Sequence, residues 1–293
     1  MMILLIIFIL IFSQAKAYEI DEETRLERFI DNFYSKPHYV ENHPMVKATA
    51  GIDNFDMNNL VQSIEFKRNY SFSLAYGFFR KDTTLENLSF FSHASEWAFF
   101  ENISTTFKNF ENNAPGINTD TWRFGFTYED GFGKNISRDN SFMLLHAMAF
   151  TWSHIDYDIA ESILENDPKY ETIRKFDENI KFGNMYQGGI RLNLNDHFNI
   201  DLLYQKSLMY RNFRFFKWSG AYLVDNAVQR WIDYFEPDLV EVFGDNYPVL
   251  KFVYKNTASF LLYKMRENSM YYPFDSDPAF YSDSYKIAFT FVF

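Results

Sequence analysis

The chain has 293 residues, no cysteine and a formal charge of −11. These values exclude a disulfide scaffold, a thiolate metal site, a cysteine nucleophile and a cysteine-linked lipid anchor, and they leave no basic face for nucleic acid. Aromatic residues make up 20% of the chain while charged residues still make up 23%. That mixture suits a surface with one apolar side and one wet side.

Residues 1–17 read as an export signal. Met1 to Phe12 is apolar throughout, and Ala15-Lys16-Ala17 supplies a small-x-small cleavage pattern. The run is shorter than the ~20 residues of a spanning helix, so cleavage after Ala17 is expected, and an uncleaved anchor is the alternative. No Lys or Arg precedes the run. In residues 18–44, Ile20, Leu26, Phe29, Ile30 and Phe33 recur at helical spacing among charged residues. This predicts an N-terminal amphipathic helix, packed on the rest of the protein, lying on a membrane or plugging a barrel mouth.

From residue 45 to 293 the dominant period is two. Tyr70, Phe72, Leu74, Tyr76 and Phe78 alternate with Ser71, Ser73, Ala75 and Gly77. Trp122, Phe124, Phe126 and Tyr128 alternate with Arg123, Gly125, Thr127 and Glu129. Similar runs follow around Ile190 and Leu192, around Ile200 and Leu202, and from Tyr285 through Ile287, Phe289 and Phe291 to Phe293. Such runs match tilted bilayer-crossing strands of about 9–11 residues. Weaker strands are expected at 45–52, 60–66, 96–103 and 141–153. That makes nine, and membrane barrels usually have an even number. Adding 210–218 gives ten strands, and eight is the alternative. The fold class is therefore all-β with helical insertions, an antiparallel transmembrane β-barrel.

Two insertions break the pattern, at about 156–181 and 219–266. In the second, Val224, Val228, Trp231, Phe235 and Leu239 recur at helical spacing up to a break near Pro237. A further helix is expected over 250–265. Together these predict a helical hairpin before the last strand, placed inside the barrel, over its mouth or beside it.

The apolar face of the strands is mostly Phe, Tyr and Trp, unlike the Val, Ile and Leu of a soluble sandwich, and suits aromatic girdles. The opposite face carries Glu65, Arg123, Glu129, Arg191, Asp201 and Lys286, which the parity makes lumen charges. They form either a selective passage or a salt-bridged filling, and small barrels have filled interiors. Ala75, Gly77, Gly125 and Gly189 leave room inside, and the insertion helix is a candidate occupant. Tyr285, Ile287, Phe289, Phe291 and Phe293 form an aromatic-ended last strand. With the signal peptide and the alternating strands, this strand resembles the outer-membrane β-barrel class, and the chain as a whole looks like barrels of Bacteroidota-type bacteria. The resemblance implies a non-enzymatic protein with a structural, adhesive or narrow-transport role. Its partners would be outer-membrane lipid and the barrel-assembly machinery, met through the C-terminal strand.

The remaining constellations are weaker. His146, His154, Asp156 and Asp158 share strand parity and could hold a divalent cation, although a strand-end His and a capping Asp account for them. Asp275, Asp277 and Asp283 form an acidic loop without the Gly and Glu of a calcium hand. Ser92-His93 and Ser153-His154 are adjacent on strands and so point to opposite faces, which argues against a lipid-modifying enzyme. A secreted soluble β-rich binding protein is the third reading. No catalytic residue, metal site or cofactor is assigned.

Overall fold

The structure, a computed structural model, describes residues 41–57, 66–82, 90–105, 117–137, 140–158, 175–176 and 179–293. The expected signal peptide and most of the N-terminal helix lie outside the described residues, as does Glu65. Eight antiparallel strands close into one barrel, each paired with its chain neighbour and the last with the first. They are β1 (Glu41–Met57), β2 (Asn69–Asp82), β3 (Phe90–Ser104), β4 (Asn118–Asn135), β5 (Ser141–Asp158), β6 (Lys181–Asn193), β7 (Phe198–Met209) and β8 (Phe280–Val292). The count is the eight-strand alternative, not ten. Residue 66 makes only an isolated bridge to Ile117, and the stretch expected to add a tenth strand leads into a helix. β1 also begins at Glu41, four residues before the expected boundary.

All short connections lie at one end, at residues 83–89, 136–140 and 194–197, and all long ones at the other, at 58–68, 105–117, 159–180 and 210–279. Closure is sealed at the short-turn end, where the Val292 amide donates to the His197 carbonyl at 2.8 Å and the Phe293 amide donates to the Pro44 carbonyl at 2.9 Å.

Alternation decides which side chains turn inward. On β4, Trp122, Phe124, Phe126 and Tyr128 are exposed on the outer wall, while Arg123, Thr127 and Glu129 are buried inside. β3 behaves differently, because its large Trp97 and Phe99 turn inward. That weakens its alternation in the sequence and explains the small inner residues of its neighbours. A Cβ on Gly125 would come within 2.8 Å of the Phe99 ring, and one on Gly77 would meet the Glu96 carbonyl oxygen at 2.0 Å.

Between β7 and β8 the chain forms α1 (Phe215–Tyr234), α2 (Glu236–Phe243), a 3-10 turn (Gly244–Asn246) and α3 (Tyr247–Asn268). The break after α1 coincides with Pro237 in the first turn of α2, where the missing amide costs nothing. Gly244 ends α2 at φ 51°, a left-handed conformation that glycine adopts without strain. α1 and α3 run antiparallel, from the long-loop end to the short-turn end and back.

Candidate functional site

Two charged assemblies dominate the described residues, one inside the barrel and one on its outer wall. Inside, Arg191 on β6 grips Asp201 on β7 bidentately, at 2.7 and 2.8 Å, and reaches Glu129 on β4 at 3.0 Å. Lys47 on β1 completes the square at 2.8 Å from Asp201 and 3.7 Å from Glu129, with its ammonium 4.6 Å from the centre of the Trp97 ring. A second group joins Arg123 to Glu101 at 3.3 Å and to the Ser153 hydroxyl at 3.1 Å, and Lys286 also bonds Glu101. All eight of these charged and hydroxyl-bearing residues are buried.

Arg123, Glu129, Arg191, Asp201 and Lys286, which strand parity turns inward, lie buried inside the barrel, and Glu65 is outside the described residues. Lys47, Glu101 and His93 belong to the same network and were not legible, because β1 and β3 alternate poorly. His93 Nε2 lies 3.1 Å from both the Ser95 hydroxyl and Glu129. A catalytic Ser-His-acid chain needs the acid on one ring nitrogen and the serine on the other. Here both meet the same nitrogen in a sealed interior, so the cluster is structural.

Apolar layers flank the charges. Phe55, Ile103, Ile155, Phe176, Met209 and Phe280 pack as one buried cluster toward the long-loop end, with Phe66 against it. A further layer holds Met45, Trp97, Phe99 and Met185. The cavity bordered by Lys47, Glu101, Gln187, Gln205 and Lys286 has a volume of about 20 Å³, room for little more than one water molecule. The insertion helix does not occupy the lumen. Side chains fill it, with Trp97 and Phe99 taking the space the small residues leave.

On the outer wall, the helical hairpin covers the sector from β4 to β8. Asp225 of α1 and Arg266 of α3 pair at 2.6 Å, and the Tyr186 hydroxyl on the outer face of β6 donates to Asp225 at 2.8 Å. Lower down, Lys255 of α3 bonds Asp130 on β4 and lies 3.0 Å from Asp233 of α1. Lys251 reaches Asp233 at 3.0 Å and Glu236 at 2.7 Å. Lys206 on β7 bonds Asp283 on β8 at 2.7 Å, under the ring of Tyr263. Gly188 lets α3 approach, since a Cβ there would sit 2.3 Å from the Asn256 amide oxygen. His146 also lies beneath Asn256, with Nδ1 at 3.3 Å. It is thereby removed from His154, which meets Asp156 at 3.2 Å in the open, so the proposed cation ligands are not brought together. The acidic loop at 275–277 is held by Arg211, 3.3 Å from Asp277, and by Lys217 on the Asp275 carbonyl.

No family model matches the chain, and no curated protein matches it. Among solved structures, Ail, the attachment invasion locus protein of Yersinia pestis, is similar at 9% identity with a TM-score of 0.33, over 87% of this chain and 100% of that one. Neisserial surface protein A is similar at 7% identity with a TM-score of 0.36, over 85% and 97%. The transport unit of the autotransporter AIDA-I from Escherichia coli reaches 12% identity and a TM-score of 0.28, over 64% and 60%. Likenesses at these scores do not reach function, and the barrel is read from its own strand pairing.

Proposed function

We propose that this chain is a non-enzymatic outer-membrane β-barrel protein with a closed lumen, serving as a structural or adhesive anchor that presents its long-loop end. The carrying observation is the inversion of the barrel: aromatic and aliphatic side chains outside, ion pairs inside. Phe72, Leu74, Tyr76 and Phe78 give β2 an exposed apolar run of roughly 20 Å at about 3.3 Å per residue. Polar outer pairs bracket the belt, Asn102 with Asp120 toward the long loops and Arg80 with Glu96 toward the short turns. Turning Arg123, Arg191 and Lys286 to face lipid instead would cost about 2–4 kcal/mol each, together comparable to the net stability of a domain. Within this class the sequence resembles Bacteroidota-type barrels. The last strand, ending at Phe291 and Phe293, is the element the assembly machinery would read.

Planar-bilayer recording of the refolded protein tests the closed lumen. The expected result is insertion without stepwise conductance. Steady channels at neutral pH would replace the anchor reading with narrow transport.

A further inference from the structure

We propose that the helical hairpin is immersed in the bilayer beside the barrel, with its outward face against lipid acyl chains. The inference rests on the membrane reading above and goes beyond it, since transmembrane barrels need no helix in the lipid. Its basis is the polarity of the hairpin, which is inverted relative to a helix pair in water. Between Trp218 and Val228 of α1 the only charged residue is Asp225, and it is buried against Arg266 and Tyr186. Between Pro248 and Tyr263 of α3 the only charged residues are Lys251 and Lys255, also buried. The outward positions over these stretches include Leu223, Val249, Val253 and Phe260, all exposed.

The outward charges come at the ends. Lys264 lies one turn from the long-loop end of α3, and Arg230 one turn from the short-turn end of α1, where long side chains reach the interface. At ~1.5 Å per residue, the charge-free outward bands span roughly 16 Å on α1 and roughly 24 Å on α3, the latter close to the ~25 Å apolar band of outer-membrane barrels. The hairpin stands where the barrel belt is interrupted. Beneath it, the outer-facing Asn184, Tyr186, Lys206 and Leu208 are buried, whereas the strands at its two margins, β4 and β8, still expose Phe126 and Ile287. Its outer face therefore continues the belt around the sector it covers. No described helix is long and apolar enough to cross a membrane by itself. The charged inner faces cause that, and the same property lets the segment pass an inner membrane without lodging there as an ordinary span.

The absence of cysteine gives a clean test. Single variants Leu223→Cys, Val253→Cys and Phe260→Cys carry a nitroxide label in phospholipid vesicles, with Phe126→Cys as the belt control and Asp196→Cys as the turn control. Collision rates are measured with oxygen, which concentrates in lipid, and with a water-soluble nickel chelate. The expected oxygen-to-nickel ratio at the three hairpin sites equals that at residue 126 and exceeds that at residue 196 several-fold. A nickel-favoured hairpin with an oxygen-favoured residue 126 overturns the inference and leaves the barrel in the membrane. Low collision rates with both reagents at the hairpin also overturn it, because protein rather than lipid then covers the face. Nickel-favoured values at residue 126 as well would defeat the membrane reading itself.

Discussion

Arg191 is the centre of the interior, since it neutralises Asp201 and Glu129 while fully buried itself. Removing one member of a buried ion group strands the others in a low dielectric, at a cost of about 3–5 kcal/mol. Arg191→Leu is therefore expected to lower the unfolding free energy of the detergent-folded protein by that amount, read from the shift of its urea midpoint, while Arg191→Lys, which keeps the charge but loses the bidentate grip, loses less. Equal midpoints for Leu and wild type would show that Lys47 alone carries the carboxylates. Gly77→Ala is the steric counterpart. Its Cβ would collide with the Glu96 backbone, so a loss of about 1–3 kcal/mol is expected, measured in the same titration. Strand parity marks Arg123, Glu129, Arg191, Asp201 and Lys286, because each sits beside a large aromatic or aliphatic neighbour, and all five are buried; Glu65 lies outside the described residues. Parity does not mark Lys47 and Glu101. The strong outward aromatic run that marks parity is missing from β1, and Trp97 and Phe99 reverse the pattern of size on β3.

At the scale of elements, the hairpin shows what periodicity carries and what it omits. The spacing of Val224, Val228 and Trp231 is enough to recognise a helix, and Pro237 is enough to place its break. Spacing does not say what an apolar stripe faces, so the three placements it leaves open for the hairpin, inside the barrel, over its mouth or beside it, are not separated by periodicity. The signal for the outer wall was present in the buried-side residues Asp225, Lys251, Lys255 and Arg266, whose partners Tyr186 and Asp130 occupy outward strand positions. Arg266→Met leaves Asp225 unpaired beside Tyr186 and is expected to loosen the hairpin, which limited proteolysis in vesicles would detect as faster cleavage between 209 and 280. The double variant Arg266→Met with Asp225→Leu removes both charges and is expected to restore resistance. Cleavage as fast in the double as in the single variant would show that shape, not charge balance, holds the helices. The last strand makes its own prediction: deleting Phe293 removes the amide bonded to Pro44 and the terminal aromatic, so assembled protein in cells should fall, while in-vitro refolding changes little.

For the whole molecule, closure of the sheet and the segregation of apolar outside from charged inside follow from alternation. The strand number did not, because residues 210–218 carry the same apolar-aromatic composition as true strands and yet lead into α1; the strand expected at 60–66 lies, apart from residue 66, outside the described residues. Eight strands make a bore narrow enough for side chains to fill, and the buried layers around Phe280 and Trp97 fill it. Everything above depends on contact between the outer face of this barrel and lipid. Two single-tryptophan variants test it, one keeping Trp122 on the outer wall and one keeping Trp97 inside, with every other tryptophan changed to Phe. Refolded into vesicles with brominated acyl chains, the Trp122 protein is predicted to lose most of its fluorescence, while the Trp97 protein keeps its emission. Unquenched Trp122 emission, or quenching of Trp97 instead, would show that the outer wall is not the lipid-facing side.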